Sequence, residues 1–305
     1  MNIISIIPAR MGSTRFPGKP MKDILGMPMI GHVYKRVKLS KILSEVYVAT
    51  CDSEIYDYIK SIDGKVIMTS DCHERGSDRC AEAMLKIEKE TSEKCDIMVM
   101  VQGDEPLTYP EMIDEAVKPM IEDKSLIITN LVADLDTIES FENPNEVKVV
   151  MDKNNNALYF SREPVPSRKK GVLEVPMKKQ VCVIPFTRDF LLKYNEMEPT
   201  PLEIIESVDM MRILENGMKV RMIDTQYESK AVDTKEDLDL VFKMMSKDDL
   251  FNKGYWHMRS ILKTIIFKLL NKALILTNIQ RNEKNLKEKL AHIVPDLTNQ
   301  YTTFK

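Results

Sequence analysis

The feature that most constrains this chain is an alternation of short apolar, β-branched runs with stretches whose apolar residues recur at helical spacing. NIISII (residues 2–7) is ended by Pro8 and reads as a buried strand, because β-branched side chains suit a covered, pleated surface. MIGHVYKRVKL (29–39) has helical spacing and EVYVAT (45–50) is the next strand, which makes a β-loop-α-β unit. A helix at 53–61, KVIMT at 65–69, a helix around 78–90 and DIMVMV at 96–101 continue the series. LIITNLVAD (126–134) and VKVVMD (147–152) extend the sheet, and KQVCVIPF (179–186) and KVRMID (219–224) read as further strands. TPLEIIESVDMMRILENG (200–217) reads as one helix ended by Gly217, and 234–246 as the closing helix. Strands separated by helices need crossover connections. The expectation is therefore an α/β fold with a mainly parallel sheet and ligands at its C-terminal edge.

A chain of 305 residues with 43% hydrophobic content can bury a sizeable core. Its formal net charge of -3 argues against a nucleic-acid-binding composition. The charge is uneven: from residue 251 onward 10 Lys and Arg face 3 Asp and Glu, so the tail is strongly basic and the rest acidic. That shift and the turn signals of SKDDLFNKG place a boundary near 247, giving a main α/β domain at 1–246 and a basic helical C-terminal extension at 247–305. Within the extension, SILKTIIFKLLNKALIL (260–276) is an apolar helix with lysines at its margin. It suits packing on the domain or a dimer mate, and also contact with an anionic membrane surface. Five scattered cysteines without a C-x-x-C pair suggest neither a disulfide frame nor a zinc site. The start lacks a basic n-region, and no run of 18 uncharged apolar residues occurs, so a cytoplasmic protein is expected.

Four stretches carry chemistry. PARMGSTRFPGK (8–19) leaves the first strand with Arg10, Arg15 and Lys19, and with Gly12 and Ser13 able to offer backbone amides. Guanidinium and ammonium groups bind phosphate through charge-assisted hydrogen bonds, although this is not the P-loop pattern. VQGDEP (101–106) sets carboxylates at a strand's C-terminal edge, where Asp104 is the stronger ligand candidate for a hard divalent cation. NPNEVKVVMDKNNNALYFSREPVP (143–166) carries Arg162, and SKAVDTKEDLDLV (229–241) carries Asp233. Each is weak alone: the first also describes a solvated basic loop, the second an ordinary turn, Arg162 a surface charge and Asp233 an N-cap. His32, His257 and His292 have no partner at ligand spacing.

Together, in this order, IPARMGSTRFPGKP, VQGDEP, NPNEVKVV with ALYFSR, and AVDTKEDL resemble the CMP-Kdo synthetase family of sugar-acid cytidylyltransferases over about residues 1–246. The resemblance implies a Rossmann-like nucleotidyltransferase fold, usually dimeric, and transfer of CMP from CTP with release of pyrophosphate, as in cell-surface polysaccharide biosynthesis. It further implies Mg2+ held by Asp104 and Asp233, nucleotide binding by Arg10, Ser13, Arg15, Lys19, Arg79 and Gln102, and a catalytic set of Lys19, Arg10 and Asp104. Arg162, Gln180 and Asp209 fall on the acceptor side.

That side departs from the family's pattern. Where Kdo-specific members carry a strand resembling R-H-x-G-I-Y-x-Y, KQVCVIPF has Gln180 at the His position and Ile184 at a Tyr position. In PLEIIESVDMMR, Asp209 and Met210 replace Glu and Gln. A site that loses several polar partners changes its preference. The expected acceptor is an acid of the Kdo type or a related acidic or phosphonate compound, with Kdo itself a poor substrate. The alternatives are a nucleotidyltransferase using another nucleotide or a sugar-phosphate acceptor, and a binding protein that kept the fold.

Overall fold

A computed structural model describes residues 1–12, 16–171 and 174–252. The chain divides into two units, Met1–Ser246 and Lys247–Lys305. Only 247–252 of the second are described, so the expected helix at 260–276 lies outside the described residues, as do Ser13 and Arg15. No described helix is long and apolar enough to cross a membrane.

The first unit is built on two five-stranded sheets. In the first, β1 (Ile3–Ala9) lies between β4 (Glu45–Thr50) and β6 (Ile97–Val101), both parallel to it. β5 (Val66–Met68) continues one side in parallel, and β11 (Val183–Thr187) closes the other antiparallel to β6. β2 (Asp23–Ile24) and β3 (Met27–Pro28) form a small separate hairpin. The second sheet has the order β12 (Arg221–Asp224), β7 (Thr129–Asp134), β10 (Lys178–Val181), β8 (Lys148–Met151), β9 (Ala157–Ser161), and only β12 and β7 run parallel in it. The sheets touch where the Thr187 N–H donates to the Ile127 carbonyl at 2.9 Å. The parallel sheet expected from the alternation is thus the first of two.

The alternation of β1 explains the layers. Ile4 and Ile6 enter one apolar cluster with Cys80, Ala83, Met84 and Ile87 of α3 (Gly76–Thr91) and with Phe190, Leu191 and Tyr194 of α6 (Arg188–Glu196). Ile3 and Ile7 enter the other, with Ile30, Val33 and Val37 of α1 (Met29–Val37), Ile55 and Ile59 of α2 (Ser53–Ser61), and Met112, Ile113 and Val117 of α4 (Pro110–Glu122). Ile6 and Ile7 are wholly buried, and each such side chain contributes about 1.5–3 kcal/mol. Covered faces on both sides are what a parallel sheet requires. α5 (Ile138–Glu142) and α9 (Lys235–Lys247) complete the connections.

Three readings differ from the sequence expectation. LIITNLVAD and VKVVMD do not extend the parallel sheet: β7 and β8 lie in the second sheet, each antiparallel to β10, because their partner strand comes from 178–181. KQVCVIPF is not one strand: it breaks at Cys182 into β10, in the second sheet, and β11, in the first. The helix expected over 200–217 is broken into α7 (Pro201–Glu206) and α8 (Met210–Glu215) by Ser207, whose φ of 51° is left-handed. The break is stabilised from the residue that follows β9: Arg162 Nε donates to the Glu206 carbonyl at 2.7 Å and Nη2 to the Ser207 carbonyl at 3.3 Å. Those are carbonyls that a helix end leaves without intrahelical partners.

Candidate active site

Three segments far apart in sequence meet at the C-terminal edge of the first sheet, each for a local reason. The loop after β1 is tied down where the Met11 N–H donates to Asp52 Oδ2 at 2.8 Å. Gly18, at φ 69°, then turns the chain into a 3-10 turn, Lys19–Met21; glycine enters that left-handed region without steric cost. After β6, a Cβ at Gly103 would lie 2.9 Å from the Pro8 carbonyl oxygen, so only glycine lets this turn sit against β1. That close approach carries Asp104 to Lys19. Before α9, Thr234 and Asp237 form a capping box: Thr234 Oγ1 accepts from the Asp237 N–H at 3.1 Å and Asp237 Oδ2 from the Thr234 N–H at 3.0 Å. The N-cap is Thr234, not Asp233, which leaves the Asp233 carboxylate to the cavity.

Lys19 Nζ donates to Asp104 Oδ2 at 2.7 Å, to the Val232 carbonyl at 2.9 Å and to Asp233 Oδ1 at 3.2 Å. Burial opposes its charge, but Asp104 and then Asp233 outweigh that, so its pKa stands above the ordinary lysine value. Asp104 Oδ1 is buried without a hydrogen-bond partner among the described residues. Such an oxygen is costly to bury until a donor or cation completes it. Two carboxylates with an open oxygen fit Mg2+, which takes one or two carboxylates and fills the remaining positions with water and substrate phosphate. Among the described residues no group of three or more His, Cys, Asp or Glu forms a metal cage.

These groups line a cavity of about 470 Å³. Arg10, Lys19, Arg79, Gln102, Asp104 and Asp233 line the wall made by the first sheet and its loops. Arg79 is 2% exposed; Nη1 donates to Thr69 Oγ1 at 2.5 Å and to the Ser70 carbonyl at 3.1 Å, and Nη2 has no partner among the described residues. Arg162, Gln180 and Asp209 line the opposite wall. Gln180 Nε2 donates to Asn130 Oδ1 at 2.6 Å, which fixes the amide's direction. Asp209 accepts from Arg75 Nη1 through one carboxylate oxygen and from Ser77 Oγ at 3.3 Å through the other. Ile184 lines the cavity, yet is 2% exposed and part of the core.

Three site residues were not picked out in the sequence. Arg75 bridges Asp209 and the buried Glu203, whose carboxylate also holds Arg212 through contacts of 2.7 and 2.8 Å. Glu105, inside VQGDEP, is buried; it accepts from Ser229 Oγ and from the Cys182 N–H at 3.2 Å, and burial raises its pKa. Glu146, inside NPNEVKVV, accepts from Lys179 and Lys230. The last two lay within quoted motifs. Arg75 carried no local signal.

Residues 4–220 match the cytidylyltransferase family. The chain belongs to that family. It is 42% identical over 257 residues to a 3-deoxy-manno-octulosonate cytidylyltransferase of Geobacter metallireducens, a match covering 81% of this chain and 99% of that protein. A protein of the same name from Thermodesulfovibrio yellowstonii is 42% identical over 253 residues, covering 81% and 99%. The fold superposes with a TM-score of 0.74 and 35% identity on a CMP:2-keto-3-deoxy-manno-octonic acid synthetase solved in complex with CTP, covering 81% of this chain and 99% of that one. In this cytidylyltransferase the cavity therefore has two chemically different walls: a cationic and carboxylate wall on the parallel sheet, and a wall of Arg162, Gln180 and the Arg75–Asp209 pair.

Proposed function

We propose that this cytidylyltransferase uses Mg2+ and CTP to transfer CMP to an acidic acceptor of the 2-keto-3-deoxy sugar acid class, releasing pyrophosphate. The observation that carries this reading is the cluster of Lys19, Asp104 and Asp233 at one wall of the cavity. A bond forms from an acceptor hydroxyl oxygen to the α-phosphorus as the bond to the β-phosphate oxygen breaks, and the hydroxyl proton is lost to water. Negative charge then shifts toward the leaving pyrophosphate, so catalysis consists of positioning and charge neutralisation. Lys19 supplies the positive charge at the transferring phosphate, and Arg10 holds the outer phosphates. Asp104 and Asp233 would hold the Mg2+, which when bound neutralises phosphate oxygens. Arg79 Nη2 and the Gln102 amide serve the nucleoside. Arg162 spends three N–H groups on backbone carbonyls, including Pro144 at 2.8 Å, and so offers a fixed positive charge to the acceptor's carboxylate. Asp209 acts through Arg75, whose guanidinium it orients.

The test is pyrophosphate release with CTP, UTP or ATP against a panel of 2-keto sugar acids including Kdo, sugar phosphates and phosphonates. Turnover is expected with CTP and a 2-keto sugar acid, and is expected to stop with EDTA. Preference for another nucleotide, or for a sugar phosphate, overturns the reading.

A further inference from the structure

The loop that presents Asp233 is gripped from the opposite wall, and the grip converges on one side chain. Glu146, in the turn before β8, accepts from Lys179 Nζ through Oε2 at 3.1 Å and from Lys230 Nζ through Oε1 at 2.8 Å. Lys179 Nζ also donates to the Ser229 carbonyl at 3.0 Å. Lys230 Nζ reaches Asp237 Oδ1 at 3.4 Å, and Asp237 Oδ2 accepts the backbone N–H of Asp233 at 3.1 Å. The side chains of Lys179, Glu146, Lys230 and Asp237 are 12, 14, 19 and 18% exposed, so water screens the network only partly.

We propose that Glu146 is a positioning residue for Asp233: as the shared counter-charge of Lys179 and Lys230, it fixes the 229–237 segment so that the Asp233 carboxylate faces Asp104. This rests on the reading that the two aspartates hold a divalent cation. Without the Glu146 charge, the Lys179 and Lys230 ammonium groups lose the anion they share and repel each other. Lys230 then pulls on Asp237 alone, and Asp233 loses its direction. Glu105 anchors the start of the segment through Ser229; at the other end the Val232 N–H donates to the Asp104 carbonyl at 2.9 Å and Lys19 Nζ holds the Val232 carbonyl, so Glu146 sets the direction of Asp233 on a backbone already held at residue 232.

The experiment uses the full chain, with Mn2+ as the probe, read by the electron paramagnetic resonance of the free ion in saturating CTP. Glu146→Gln is expected to raise the Mn2+ dissociation constant ~10-fold, the low end for outer-shell partners of metal ligands. CTP binding in EDTA, measured by calorimetry, stays within twofold, and kcat at saturating metal changes little. Glu146→Asp, which keeps the charge, recovers most of the affinity. Lys230→Met, which breaks the same link from its other end, shifts the constant in the same direction as Glu146→Gln. Unchanged Mn2+ affinity in Glu146→Gln overturns the proposal. An equal loss in the Asp and Gln variants, or a parallel loss of metal-free CTP binding, also overturns it by showing a general structural role. Asp233→Asn separates this from the underlying reading: if it leaves Mn2+ binding intact, the metal assignment itself is wrong.

Discussion

Lys19→Met should act with opposite sign on two measurements. The Lys19 ammonium sits between Asp104, at 2.7 Å, and Asp233, at 3.2 Å, where a divalent cation would also bind. A metal ion entering without nucleotide must displace it. The lysine and the two carboxylates are 13, 20 and 15% exposed, so the pairing is only partly discounted by solvent. Losing the shorter contact corresponds to roughly 1.5 kcal/mol, the low end for a hydrogen bond to a charged group, or about tenfold in affinity. Methionine keeps the apolar stem and removes the charge. The variant should therefore bind Mn2+ about tenfold more tightly in the absence of CTP, while kcat falls ~100-fold or more because one electrostatic donor at the phosphates is lost. Paramagnetic titration and steady-state pyrophosphate release measure the two effects. Unchanged or weaker Mn2+ binding refutes the displacement, and kcat within twofold of the parent refutes the role at the phosphate.

The pH dependence of stability carries a second test. Burial, the largest cause, lowers the His32 pKa from 6.5 to about 4. Below pH 6.5 the unfolded chain takes up a proton that the folded one refuses until about pH 4, so stability falls as pH drops through this window. The contribution approaches ~3 kcal/mol at its acid end. Urea unfolding at pH 5 and pH 7.5 should show that slope in the parent and a smaller one in His32→Gln; equal slopes would be contrary evidence. Gly103→Ala forces a Cβ to within 2.9 Å of the Pro8 carbonyl. It should cost about 1–3 kcal/mol, measured by urea midpoint, and should weaken Mn2+ binding because Asp104 moves with the turn. Gln180→His with Ile184→Tyr should raise kcat/KM for Kdo relative to other sugar acids. The Tyr should also lower stability by about 1–3 kcal/mol, because Ile184 is 2% exposed; a unchanged acceptor ranking would show that these two positions do not read the acceptor.

What the sequence discloses is what local periodicity encodes. α2 runs over Ser53–Ser61, as its helical spacing indicates, and β6 over Ile97–Val101, because a run of apolar β-formers bounded by turns has few other solutions. The break at Ser207 was illegible, since its support is an arginine 45 residues earlier in the chain. KQVCVIPF has uniform strand character, and nothing in it marks Cys182 as the residue where one sheet hands over to the other. Lys19, Asp104 and Asp233 were legible because motifs in a fixed order carry them. Arg75 was not, and the partners of Glu146, itself inside NPNEVKVV, were not, because an ion pair across 134 or 84 positions leaves no trace in either local stretch.

The change of sheet at Cys182 bears on how acceptor preference can vary while the chemistry stays. Its carbonyl accepts the Gln102 N–H at 3.3 Å and its own N–H donates to Glu105 Oε1 at 3.2 Å. The hinge between the two walls is thus clasped to the turn that presents Asp104. The backbone there holds the register of both walls whatever side chains flank it, because hydrogen bonds of Gln102 and Cys182 are made by main-chain groups on one side or both. Side chains at 180 and 184 lie on either side of that clasp, on β10 and β11, and both line the cavity. Exchanging them changes one side chain on each sheet, while Asp104, Glu105 and the Ser229 contact remain in place. A cytidylyltransferase built this way can change the side chains of KQVCVIPF and still keep Lys19, Asp104 and Asp233 together.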